Sequence, residues 1–463
     1  MIRRVVILAS IACAFAASAA TPPASPAAAT PSAIHIPEGG PGVSFDFPGL
    51  EVGVAEYEAG PTGTTVLYFP KHALVAIDVR GGAPGTLNSD AARLEGDEGF
   101  VSAVVLSGGS AYGLSAATGV SNALKDLSPD PGNWRNVAVV MGAIIFDLGD
   151  RRYNAVTPDD ALGRAALKAA RPGWVPIGAR GAGRFAMQGG YFDRQHSGQG
   201  AAFLQAGETK VLVITVVNAI GSIVDRSGNL LRCSRPVDGK CPPIAEKFKA
   251  HLAALGAARA ADAVSAGKEG LTANTTITAV VTNQVMSYHM LQRLAIQVHN
   301  SMGRAIQPFG TRADGDTLFG ISTGEVKNPA LDPIVVGTIA SEAAWDAILA
   351  SAPIEPAPTP RSAEKPTVAA LEATVGHYQF AAGVTAQIRR HDAALEIEVT
   401  GRDSLYLPVG KAVSLTPVAP NEYELGTPRA DRLRVDHDAH GRIEGFTINP
   451  GPWPIHATRL AGA

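Results

Sequence analysis

From Thr275 to Asn283 the residues Ile277, Ala279 and Val281 alternate with Thr276, Thr278 and Val280, a β-branched run that predicts a strand with at least one buried face. This strand begins at a hydroxyl residue, directly after an Ala/Gly-rich stretch predicted to be a flexible loop. Earlier in the chain, 45–57, 60–70 and 73–82 read as β segments divided by Gly/Pro turns. Residues 101–114 read as a strand, a Gly108-Gly109 turn and the start of a helix running to about Leu127. Such a turn could hold an anion on its backbone N–H groups, but a lone Gly-Gly pair more often lets a helix pack closely on a sheet. A further strand pair is predicted at 137–146 and 210–218, separated by a helix around 158–170 and a Gly-rich loop over 178–200. Residues 243–268 read as an Ala-rich helix leading into the loop before Thr275. Ser287 is placed to cap another helix, along which Leu291, Leu294, Ala295, Val298, Met302 and Ala305 recur at helical spacing. His289 and His299 on that helix are ten apart and do not share a face, so no ligand pair is expected. The pattern as a whole is mixed α/β.

Five prolines between Ala352 and Pro366 predict a stiff, extended linker over 353–366. Beyond it, short runs of period-two alternation, such as Val384, Ala386 and Ile388 and then Leu395, Ile397 and Val399, predict an all-β module over 367–463. The Asp436-His-Asp-Ala-His440 cluster stands between two such runs and before Gly441, which favours a polar hairpin turn over a metal site. At the other end, residues 1–20 combine a basic start, an apolar run of about a dozen residues and small residues at the close, the pattern of a secretory signal. Residues 21–42 are rich in Pro, Ala, Ser and Thr, and are expected to form a disordered arm before a globular domain over 43–352. No later segment shows the uninterrupted apolar run of a membrane span, so a soluble, secreted and periplasmic protein with no membrane partner is expected.

Composition narrows this further. A content of 46% hydrophobic residues supports a sizeable core, and 50 glycines predict tight turns and close backbone contacts. The net charge of −3 arises without long runs of either sign, which argues against a nucleic-acid partner. Of the three cysteines, Cys13 belongs to the signal segment, leaving Cys233 and Cys241. In an oxidising compartment these two are expected to pair as a disulfide; two thiols without nearby His partners make a poor zinc set.

The chemistry hinted at by the start of the Thr275 strand is self-cleavage. A break between Asn274 and Thr275 would give Thr275 both a hydroxyl nucleophile and an α-amine of pKa about 8. The residues alone favour the blander reading, the end of an ordinary loop, and Asn274-Thr275-Thr276 also fits a glycosylation acceptor.

A resemblance spread over the chain weights these alternatives. Phe45-Asp-Phe-Pro-Gly49, Glu58-Ala-Gly-Pro-Thr-Gly63, Ala161-Leu-Gly-Arg-Ala-Ala-Leu167, Gly198-Gln-Gly-Ala-Ala-Phe203, Asn274-Thr-Thr276, Val298-His-Asn-Ser-Met302, Ile306-Gln-Pro-Phe309 and Asp314-Gly-Asp-Thr-Leu-Phe319 occur in this order. With them, residues 43 to about 350 resemble the L-aminopeptidase/D-esterase family of self-processing peptidases, and within it the nylon-oligomer hydrolase branch. The resemblance implies an αββα sandwich, an N-terminal-nucleophile-like fold cut between 274 and 275 into two chains that stay together and assemble as a homo-oligomer. The C-terminal module more weakly resembles the small β-barrel domains appended to serine β-lactamase-like hydrolases.

By this resemblance Thr275 is the nucleophile, Asn218 donates a side-chain N–H to the oxyanion, and Asp314 and Asp316 form the acidic pair beside the new N-terminus. The expected activity is hydrolysis of amide bonds in small peptides or amide oligomers through an acyl-Thr275 intermediate, with no cofactor and no metal. Two positions depart from the pattern: Gly190 stands where the branch has a lysine, and Phe146 where it has a tyrosine. A secreted binding or scaffold protein that kept the fold but lost hydrolysis is therefore the alternative expectation.

Overall fold

The computed structural model describes residues 32–93, 100–151, 155–257, 274–327, 330–354, 360–362, 366–392, 394–401, 406–427, 431–449 and 451–461. The expected signal segment, 1–20, and the first part of the expected arm, 21–31, lie outside these, as do 258–273 and, within the expected linker, 355–359 and 363–365.

Ten elements of strand and five helices carry the site. The strands are β1 (Glu51–Tyr57), β2 (Thr62–Val79), β3 (Phe100–Ser107), β4 (Val140–Ile144), β5 (Met187–Gln188), β6 (Gln195–His196), β7 (Gln199–Ala206), β8 (Thr209–Asn218), β9 (Thr275–Gln284) and β10 (Thr317–Val326). The helices are α1 (Leu114–Leu127), α2 (Asp160–Lys168), α3 (Ile244–Ala257), α4 (Tyr288–Ser301) and α5 (Pro333–Ala350).

β2 is the hinge of the architecture. Its first half pairs with β1 and β3, its second half with β10, and the order then continues β10, β9, β8, β7. The sequence predicts two strands broken at Pro70, whereas the chain runs through it as one 18-residue strand with a register shift between Tyr68 and Ala73. Pro70 cannot donate to the ladder and is tolerated there because the ladder is already interrupted.

The alternation within each strand sorts side chains into three apolar layers. Leu67 and Val104 from one half meet Ile214, Val216, Ile277 and Phe319 from the other, between the two sheet halves. The opposite faces of β8 and β9, including Val213 and Val280, pack on Leu291, Leu294 and Val298 of α4 and on Ala340 and Ala344 of α5. Val66, Ala103 and Val105 pack on Val120 of α1 and Leu162 of α2. The result is a four-layer αββα sandwich. The close packing expected from the glycine content is explicit where α5 meets β7: a Cβ on Gly200 would sit 1.8 Å from the Ala347 carbonyl oxygen. Ser287 caps α4 through a side-chain oxygen that accepts from Met290 N, as its position predicted.

Helix α5 has the length and mean hydropathy of a membrane span, 18 residues at 1.3. Its small-residue face is nevertheless buried on β7 and β8, and its outer Glu342 and Asp346 both pair with Arg226 at 2.7 Å.

Part of the expected disordered arm is ordered instead. Ile34 and His35 pair with Tyr57 and Glu56 of β1, and the strand Gly42–Ser44 pairs with Trp174–Pro176. The local composition could not fold alone, but backbone hydrogen bonding to a preformed edge holds it. The C-terminal residues form a closed eight-stranded antiparallel barrel from Gly376–Ala381 to Ile455–Arg459. The Asp438 carboxylate accepts from His440 N and Arg442 N, so the Asp/His cluster is a hairpin turn.

Candidate active site

β8 and β9 run antiparallel with Asn218 opposite Thr275, so the last residue of one strand faces the first of the other. Thr275 is 2% exposed, and Asn218 is fully buried. In this continuous chain the Asn274 carbonyl oxygen accepts two hydrogen bonds, from Gly315 N at 2.7 Å and from Thr275 Oγ1 at 2.6 Å. Both donors draw electron density from the carbonyl between Asn274 and Thr275. Gly315 fits because it has no side chain: a Cβ there would lie 2.6 Å from Ala83 O and 2.7 Å from Thr275 Oγ1.

Asp314 and Asp316 flank Gly315, both 1% exposed. Asp314 Oδ1 accepts from Ile220 N at 3.2 Å, and its Oδ2 from Thr311 N at 3.1 Å and Thr311 Oγ1 at 2.6 Å. Asp316 Oδ1 accepts from Thr276 N at 2.7 Å and Oδ2 from Gly310 N at 3.0 Å. Burial pushes both carboxyls up; Asp316, also facing the charge of Asp314, reaches about 7.

The Asn218 side chain is fixed at both ends. Its Oδ1 accepts from Met187 N at 2.9 Å, and its Nδ2 donates to the Phe146 carbonyl at 3.0 Å. One of the two Nδ2 hydrogens is thereby committed and the other is not accounted for by Phe146. Phe146 thus contributes its backbone to this site, whichever side chain it carries.

The two departures from the family pattern have different surroundings. A Cβ on Gly190 would lie 3.8 Å from Asn274 Nδ2 and 3.9 Å from Arg194 Nη1, so a guanidinium stands beside the position that lacks a lysine. In the same loop, Arg184 pairs with Glu58 at 2.6 Å and His196 stacks on Trp453 of the barrel. Cys233 and Cys241 are joined as a disulfide. Their loop is tied to this region through Ser234, whose N and Oγ donate to Asp193 at 2.9 and 2.5 Å.

Among the described residues, His35, Glu56 and Glu58 bring three potential metal-ligand atoms within 4.8 Å of one another. Arg184 already pairs with both carboxylates, at 3.5 Å from Glu56 and 2.6 Å from Glu58, and Gly181 N donates to Glu56 at 2.7 Å. The cluster is an ion-pair network around the buried Glu56, with His35 and Glu58 exposed. The Gly108-Gly109 turn is likewise filled from within, because Gly109 N donates to Asp147 Oδ1 at 2.9 Å.

All five residues that the sequence singled out for chemistry, Asn218, Asn274, Thr275, Asp314 and Asp316, meet, buried, where β8 ends and β9 begins. Missing from the sequence reading are the backbone groups that hold them: Gly315 N, Met187 N, Ile220 N, Gly310 N and Phe146 O. Backbone donors carry no residue-type signal, so only Gly315, lying between two candidate aspartates, was open to suspicion.

The αββα sandwich gathers these five residues at its strand ends. Residues 45–356 match the profile of peptidase family S58, and the chain belongs to that family. It is 41% identical over 319 residues to a 6-aminohexanoate-oligomer endohydrolase of Paenarthrobacter ureafaciens, covering 66% of this chain and 84% of the relative. It is 36% identical over 307 residues to an uncharacterized aminopeptidase of Mycobacterium bovis, covering 62% of this chain and 84% of that protein. A solved β-aminopeptidase of a Burkholderia species aligns with a TM-score of 0.48 at 17% identity, over 69% of this chain and 89% of that one. The protein is a hydrolase of amide bonds. The barrel lies beyond the family match.

Proposed function

We propose that the chain cleaves itself between Asn274 and Thr275 and then hydrolyses amide bonds of small peptides or amide oligomers through an acyl-Thr275 intermediate. The observation that carries this reading is the Asn274 carbonyl, held at once by Gly315 N and the Thr275 hydroxyl at the start of a buried strand. Attack of Oγ1 on that carbonyl carbon breaks the C–N bond, leaves an ester on Thr275 and frees its amine. Water then hydrolyses the ester, giving Asn274 a carboxylate and Thr275 a free N-terminus. In turnover the same hydroxyl attacks the substrate amide, and the Asn218 side-chain N–H stabilises the oxyanion. The new ammonium sits next to Asp314 and Asp316, whose charge holds it and relays its proton. Arg194, a cation beside Gly190, supports retained activity over the scaffold alternative.

The amide oligomers hydrolysed by the Paenarthrobacter relative are the first substrates to try. Intact mass of the purified protein tests processing directly: two chains are expected, the smaller beginning Thr-Thr-Ile-Thr. A single uncut chain in a preparation that hydrolyses amides would remove Thr275 as the nucleophile. The basic and apolar start of the chain and the Cys233–Cys241 disulfide support export to an oxidising compartment.

The raised carboxyl of Asp316 gives the self-cleavage step a pH dependence. With a pKa of about 7 in the uncut chain, this group accepts a proton only as pH rises through neutrality, well above the usual aspartate range. Denatured precursor refolded into buffers from pH 5 to 9 should therefore split faster with rising pH, with the half-maximal rate near pH 7. A limb near pH 4, or a rate independent of pH, would mean that Asp316 takes no part in the proton transfer.

A further inference from the structure

Asn218 is oriented by a chain of contacts that ends outside the family-matched region. Its Oδ1 accepts from Met187 N, and Met187 lies directly opposite His196 in the β5–β6 hairpin. His196 is 3% exposed. It lies face to face with Trp453, ring centroids 3.7 Å apart and planes 9° from parallel, and its Nε2 shares a 3.3 Å hydrogen bond with Tyr406 Oη. Phe185 packs against the imidazole in a T-shaped arrangement, ring centroids 5.7 Å apart. Tyr406 and Trp453 belong to the C-terminal module, beyond the matched residues 45–356, and share one apolar cluster with Phe185, Ala179 and the barrel interior. The barrel core therefore continues into the very hairpin that holds the Asn218 amide.

We infer that the C-terminal barrel is a positioning element of the active site, with Trp453 and Tyr406 clamping His196 so that Met187 N fixes the Asn218 side chain. The kinetic part of this inference rests on the role proposed above for Asn218; the clamp itself does not. A buried stacked pair fixes ring position as well as supplying apolar contact. The β5–β6 hairpin is only two residues long on each strand, too short to hold its register alone. Loosening it leaves Asn218 held by Phe146 O alone, and small displacements of an oxyanion donor are expensive in rate.

The test uses the full chain, with Trp453→Ala, Trp453→Leu and Tyr406→Phe. Trp453→Leu keeps apolar volume in the barrel while removing the stack, and guards against loss of the barrel fold. Hydrogen exchange should rise in the peptide spanning 185–197 in both Trp453 variants and less in Tyr406→Phe, with β8 and β9 unchanged. Unchanged exchange over 185–197 would overturn the clamp, whatever the enzyme's activity.

On an amide substrate that wild type hydrolyses and Thr275→Ala does not, Trp453→Leu should lower kcat by about tenfold with little change in KM, the signature of a contact used in the transition state. Placed in an Asn218→Ala background, the same substitution should cost less than about twofold, because residues acting through one another are not additive. Full additivity would overturn transmission through Asn218 and leave Trp453 a merely structural residue. Loss of the Thr275 dependence itself would refute the proposed mechanism instead, and the exchange result would still decide the clamp.

Discussion

Thr275→Ala should purify as one uncut chain with no amide hydrolysis. The substitution removes the hydroxyl that donates to Asn274 O at 2.6 Å, together with the γ-methyl, and leaves the other residues of the site in place. The fold should survive, because the loss amounts to one hydrogen bond and one buried methyl, about 1 kcal/mol each, at the start of a strand whose ten residues are all buried. The effect on rate is total for processing, since the alanine side chain offers no nucleophile. Thr275→Ser retains the hydroxyl and should split, with Ser-Thr-Ile-Thr as the new N-terminus. The measurement is intact mass together with release of amine from an amide oligomer. Two chains from Thr275→Ala, or undiminished hydrolysis, would rule out Thr275 for both steps.

Asn218→Ala should lower kcat about 10²–10³-fold, equivalent to about 2.7–4 kcal/mol, the usual consequence of losing one oxyanion donor. It should also reduce stability by about 1–3 kcal/mol, because Met187 N, buried opposite His196, loses its acceptor. Asn218→Asp separates the two effects. A carboxylate still accepts from Met187 N and so restores much of the stability. It cannot donate to Phe146 O or to a developing oxyanion, so its rate should fall below that of the alanine variant. Thermal unfolding and kcat measured side by side check both. An aspartate variant with near-wild-type kcat would take Asn218 out of the oxyanion site.

The rank order of these effects follows from how each group is held. Thr275 and Asn218 face one another because β8 and β9 pair in register, which their alternation alone nearly dictates. A slip of one residue would turn Ile277, Ala279 and Val281 out of the core between the sheets. The same logic explains why the β9 strand and the α4 helix with its Ser287 cap could be read from the residues, whereas Asp314 and Asp316 were marked only by the resemblance. Each of these two elements is a local pattern whose period or cap type is set by its own neighbours.

By itself, then, the sequence determined the mixed α/β core, the all-β tail and, through motifs spread along the chain, the five residues gathered at the ends of β8 and β9. Tertiary structure alone decided three things. Residues 34–35 and 42–44 became strands because an edge elsewhere offers backbone partners that local composition does not reveal. β2 became one strand through Pro70 because two sheet halves meet along it. The identity of the groups that polarise the Asn274 carbonyl and orient Asn218 was likewise hidden, since Gly315 N, Met187 N and Phe146 O are main-chain atoms common to every sequence. Main-chain groups acquire a role only when the fold aims them, and contacts as distant in sequence as His196 and Trp453 exist only once the barrel has closed beside the sandwich.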